Sequence, residues 1–175
     1  MLKTLRQIAS VGIVSEAAPA ADESLRLRDS LQERIRTVLG RALCIRHVDA
    51  GSCNGCELEI HALNNPLYNL EGLGIRFVAS PRHADLLLVT GPVSRHMAVA
   101  LRRTYEAAPA PKLVVAIGEC GCTGGLFGEG YASCGRVSNV IPVDVAVSGC
   151  PPSPTRILEA ILTAIARAPE KSVVP

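Results

Sequence analysis

A chain of 175 residues, 48% hydrophobic and 19% charged, is long and apolar enough to bury one core, which excludes global disorder. A net charge of +2, with 3% aromatics and no Trp, supplies neither the basic field nor the stacking platforms of a nucleic-acid binder, so no nucleic-acid partner is expected. Seven cysteines are an odd number in a chain too large to need disulfide staples, and point to reduced thiols in the cytoplasm.

Residues 1–23 read as a loosely structured arm. Lys3 and Arg6 precede an apolar run over 8–14, and Ala18-Pro19-Ala20 imitates a cleavage site. About seven apolar residues broken by Ser10 and Gly12 make a poor secretory core. There is no twin-Arg signal, and no run approaches the roughly 18 apolar residues that cross a bilayer. A cytoplasmic protein is expected, with any membrane association made through partners.

Residues 24–40 predict an amphipathic helix, with Leu27, Leu31, Ile35 and Val38/Leu39 on one stripe, Ser24 as N-cap and Gly40 as stop. Such a helix serves either its own core or another subunit. From residue 41 to 170 the pattern is one α/β domain. Short apolar runs at 43–48, 75–79, 85–90, 112–118 and 144–148 predict five strands; 86–89 and 113–117 are continuously apolar, as in strands buried on both faces of a parallel sheet. Helical patterns fall at 56–63, 93–107 and 154–168, the last opening on Ser153-Pro154-Thr155. The expected fold is a flavodoxin-like doubly wound parallel sheet preceded by an N-terminal amphipathic helix.

On that plan Cys53 and Cys56 follow the first strand, Cys120 the fourth and Cys150 the fifth, all at carboxyl ends of parallel strands, where open α/β sheets gather ligands. One close thiol pair plus two distant single thiols suits an iron–sulfur cube reached from separate loops. Zinc sites more often use two close pairs, and a lone Cys-x-x-Cys also serves thiol–disulfide exchange. In Cys53-Asn54-Gly55-Cys56 the glycine gives a tight turn with free amides, and Cys150-Pro151-Pro152 stiffens its loop.

The segment 118–125 is Gly-rich without the Gly-Lys-Ser/Thr ending of a phosphate loop. Cys120 and Cys122 compete there, and the position after the strand favours Cys120. Cys44, inside a predicted strand, reads as core, and Cys134 has the weaker claim to a ligand role. His47, His61, His83 and His96 show no metal spacing, while His61 and Glu59 lie just beyond the Cys pair. No nucleophile triad or paired-carboxylate pattern supports hydrolysis.

Together, Gly51-Ser-Cys-Asn-Gly-Cys-Glu-Leu-Glu59, Ser80-Pro-Arg-His-Ala-Asp85 with Leu88-Val-Thr-Gly91, Gly118-Glu-Cys120 with Gly124-Gly125, and Ile141-Pro-Val-Asp144 leading to Gly149-Cys-Pro-Pro152 form a recognisable series. It resembles the small subunit of membrane-associated energy-converting [NiFe]-hydrogenases (formate hydrogenlyase, Ech and carbon-monoxide-linked types) and the homologous complex I subunit, over roughly residues 43–168. The Cys-x-x-Cys spacing is the hydrogenase-like form, where complex I subunits carry adjacent cysteines.

The resemblance implies one [4Fe–4S] cluster on Cys53, Cys56, Cys120 and Cys150, in an electron-transfer subunit of an oxidoreductase with no catalytic residue of its own. It also implies a large partner subunit bearing the [NiFe] site, a ferredoxin-like iron–sulfur subunit and integral membrane ion-translocating subunits, with the chain peripheral on the cytoplasmic face of the inner membrane. Two alternatives stand beside it: a complex I-like quinone reductase or nickel-free hydrogenase-related complex, and a zinc-stabilised interaction module.

Overall fold

The computed structural model describes residues 2–11 and 23–167. Five strands form one sheet: β1 (Leu43–Asp49), β2 (Ile75–Phe77), β3 (Leu86–Thr90), β4 (Leu113–Ile117) and β5 (Val145–Val147). Every pairing is parallel and the order is β2-β1-β3-β4-β5, the flavodoxin-like order expected from the alternation of strand and helix patterns.

The continuously apolar strands explain the double winding, because successive side chains point to opposite faces. Leu86, Leu88, Val115 and Ile117 enter one core with Leu31, Ile35, Ile157 and Ile161. Leu87, Val89, Val114 and Ala116 enter the other with Val93, Ala98 and Leu101. On the first face lie α2 (Glu23–Leu39), α3 (Gly55–Ala62) and α6 (Pro154–Arg167), with α2 packed along α6. On the second lies α4 (Arg95–Ala107), whose first turn is capped by Ser94 Oγ accepting from the Met97 amide at 3.3 Å.

The helix expected over 24–40 packs on its own domain: Leu31, Ile35 and Val38 are buried. It includes Glu23, so Ser24 stands inside the helix instead of capping it, while Gly40 ends it with φ +63°. Two further helices depart from expectation. Leu2–Val11 is helical (α1) where a loose arm was expected, since Leu, Lys, Arg, Gln and Ala are good helix formers. Gly118–Thr123 makes a short helix, α5, where a loop was expected after β4. Residues 12–22 of the expected arm, and the expected domain end at 170, lie outside the described residues. No helix among the described residues is long and apolar enough to cross a membrane.

Candidate iron–sulfur site

The carboxyl edge of the sheet is built from three loops tied to one another. After β1, Asp49 Oδ1 accepts from the amides of Gly51 and Ser52, both at 2.8 Å, and Ser52 Oγ accepts from the Asn54 amide at 3.1 Å. These side-chain turns carry the chain into α3, with Asn54 in the left-handed region at φ 72°. After β4, α5 starts against the loop that follows β5: the Glu119 amide donates to Gly149 O at 2.8 Å.

The four predicted thiols converge here. A Cβ at Gly55 would lie 3.6 Å from Cys53 Sγ and 4.0 Å from Pro151 Cδ, so the first loop meets the loop of Cys150. A Cβ at Gly118 would come within 2.6 Å of Cys56 Sγ, and one at Gly125 within 2.8 Å of Cys120 Sγ. Both glycines have positive φ, +85° and +56°, so conformation and space each demand the missing side chain.

All seven cysteines are free thiols. Cys53 and Cys150 are exposed, Cys56 and Cys120 half-buried. Burial pushes the Cys56 thiol up to about 12, helped by the nearby Glu57 and by Cys53, Cys120 and Cys150. Cys120 is pushed up by burial and by Cys150 and Cys53.

Among the described residues no group of three or more His, Cys, Asp or Glu side chains is placed to hold a metal ion.

Cys122 turns away from this group. Its Sγ lies 3.9 Å from Ala116 O, and burial and Glu119 raise its thiol without a contribution from the other cysteines. Cys134 packs against the α4-side core, and Cys44 is buried, as expected of a strand residue. His61 is exposed and Glu59 half-buried.

Sequence reasoning passed over a polar group formed by buried Glu57, wholly buried Thr90 and half-buried His47. Its signal was a lone hydroxyl closing the apolar run Leu86–Val89, in register beside the strand that bears His47.

A parallel α/β domain that gathers four thiols at the carboxyl edge of its sheet places them where open α/β sheets collect ligands. Residues 53–164 match the family described as "NADH ubiquinone oxidoreductase, 20 Kd subunit", and the chain belongs to it, which makes it a subunit of an oxidoreductase complex.

The chain is 44% identical to the probable membrane-bound hydrogenase subunit mbhJ of Pyrococcus furiosus, over 79% of this chain and 84% of the relative. It is 44% identical to formate hydrogenlyase subunit 7 of Escherichia coli over 78% of this chain, and spans about half (52%) of that relative's length. Among solved structures, a chain of the membrane-bound sulfane sulfur reductase, an archaeal respiratory membrane complex, matches with TM-score 0.58 and 34% identity, over 83% of this chain and 73% of that one.

Proposed function

We propose that this chain carries one [4Fe–4S] cluster on Cys53, Cys56, Cys120 and Cys150 and relays electrons to or from the [NiFe] site of a large subunit in a membrane-associated energy-converting hydrogenase. The observation that carries this reading is the convergence of these four thiols, from three separate loops, on one sheet edge. When bound, such a cluster accepts and returns electrons singly. The protein's contribution is to hold the thiolates, pack glycines against two of them, and seat half-buried Cys56 against the aliphatic core.

A partner face is supported by apolar side chains around the site. Leu58 is exposed between the Cys pair and the rest of α3, and Leu126, Phe127 and Tyr131 are exposed in the segment after Gly125. The large subunit covers this face, with a ferredoxin-like subunit and integral ion-translocating subunits completing the complex. The chain then sits on the cytoplasmic face of the inner membrane through those partners.

Anaerobic iron and sulfide analysis with EPR of the reduced protein tests the reading. About four irons per chain are expected. Zinc with little acid-labile sulfide would establish the interaction module instead. Cys53, Cys56, Cys120 or Cys150→Ser removes or alters the cluster, and Cys122→Ser leaves it. Loss from Cys122→Ser with none from Cys120→Ser would reverse the assignment within α5.

A second reading, the cluster subunit of a complex I-like quinone reductase or nickel-free hydrogenase-related complex, is favoured by the likeness to the sulfane sulfur reductase complex. Two Cys-x-x-Cys pairs in the large partner, one near each end, support hydrogenase. Their absence supports the second reading.

A further inference from the structure

The family match begins at residue 53 and leaves the first helix without an assignment. Helix α1 carries Lys3 and Arg6 and no acidic residue. Leu2, Leu5 and Ala9 recur at helical spacing and fall on one stripe, and Lys3 and Arg6 fall on the stripe beside it. Both leucines stand in solvent, 77% and 64% exposed, and both cations are exposed with them. Among the described residues no other element packs extensively on α1. That separates it from α2, whose apolar stripe is buried in the domain's own core through Leu31, Ile35 and Val38.

A single exposed leucine is ordinary on a protein surface. A stripe of them flanked by charges of one sign asks for a surface that is apolar below and anionic above. An anionic bilayer has that layering: leucines enter the acyl boundary, while Lys and Arg stems run along it and carry their charges to the headgroups. Ten residues span about 15 Å, half of the roughly 30 Å hydrocarbon core, so α1 is too short to cross and long enough to lie in the plane. A helix of this length is marginal in water, and a surface that takes up its stripe also supports its helical form.

We propose that α1 is an in-plane lipid contact, with Leu2 and Leu5 entering an anionic membrane surface and Lys3 and Arg6 reaching its phosphate headgroups. The inference goes beyond attachment through partner subunits and does not depend on whether the four thiols hold a cluster. One such contact is weak by itself, since stable anchoring takes two signals. A chain already held at the membrane by partners makes this second contact at high effective concentration.

Hydrogen exchange of the full chain, read over residues 2–11 by mass spectrometry, tests this with two probes: vesicles of phosphatidylethanolamine with phosphatidylglycerol, and vesicles of phosphatidylcholine alone. Exchange over α1 is expected to be fast in buffer and slowed by the anionic vesicles, much less by phosphatidylcholine, with the slowing lost as salt rises. The partition coefficient from co-flotation with the anionic vesicles falls about fivefold for Lys3→Gln or Arg6→Gln, and about tenfold or more for Leu5→Ser. These side chains are exposed, so the urea midpoint of each variant stays at the wild-type value. Slow exchange over residues 2–11 without vesicles would give the stripe to the chain's own domain. Exchange untouched by vesicles yet slowed in the assembled complex would give it to a partner subunit. Equal slowing on both vesicles would leave the cations without a role. Each of these three results overturns the proposal, and none bears on the iron content that decides the iron–sulfur reading.

Discussion

A Cβ at Gly118 would sit 2.6 Å from Cys56 Sγ, on a backbone already at φ +85°. Gly118→Ala therefore meets two obstacles, a left-handed conformation costing about 1–2 kcal/mol and a sulfur that cannot move without leaving its place. The expected result is a marked fall in iron per chain with the fold retained, measured by iron assay beside far-UV circular dichroism. Gly130→Ala is the control, because a Cβ there meets nothing within 4 Å. At this scale the sequence was readable for the cysteines, whose positions follow from where the strands stop. It was not readable for Glu57. A glutamate one residue past a cysteine on a short helix reads as exposed, and only the approach of β1 and β3 turns Thr90 and His47 toward it.

Asp85 directly precedes β3 and ties it to β1 and to the turn before β1. Its carboxyl accepts from the Cys44 amide at 3.1 Å and from Arg41 Nη1 and Nη2 at 3.0 and 2.6 Å. The two partners are unequal in consequence, since the Cys44 amide is buried while the Arg41 side chain is 54% exposed. An exposed guanidinium contributes little, whereas an unpaired buried amide costs about 1–3 kcal/mol. Asp85→Ala is thus expected to destabilise by about 1–3 kcal/mol, with Arg41→Ala well below it and Asp85→Asn between, as urea unfolding would measure. Elements of this kind were legible: each of the five strands fell within two residues of its expected ends, because an apolar run flanked by Gly, Pro or Asp leaves little choice. The short helix α5 was not, since Gly118-Glu-Cys-Gly-Cys-Thr123 has poor helix propensity and is held by Gly149 O and by packing against Ala116 and Val137.

For the molecule as a whole, two aliphatic cores flank one sheet, and the polar inset of His47, Thr90 and Glu57 interrupts only the face that carries α3. That inset ties global stability to pH. His47 is half-buried, and burial holds its imidazole below the ordinary 6.5; Glu57 and Asp49 oppose that shift, while Arg46 and His61 add to it. The folded protein therefore takes up the His47 proton less readily than the unfolded chain does. Its stabilising share is complete above pH 6.5 and declines as the pH falls from 6.5 through the lower folded-state value, because there the unfolded chain binds the extra proton. His47→Gln keeps a side-chain amide donor near Thr90 and removes the titration. The difference in urea midpoint between wild type and His47→Gln is expected to be constant above pH 6.5 and to shift in favour of the variant below it. Subtracting the two curves cancels any acid effect on the cluster that both proteins share. A difference that stays flat from pH 7.5 to pH 5 would mean that His47 titrates alike in the folded and unfolded chains, and that its burial against Thr90 leaves no mark on the stability of the fold.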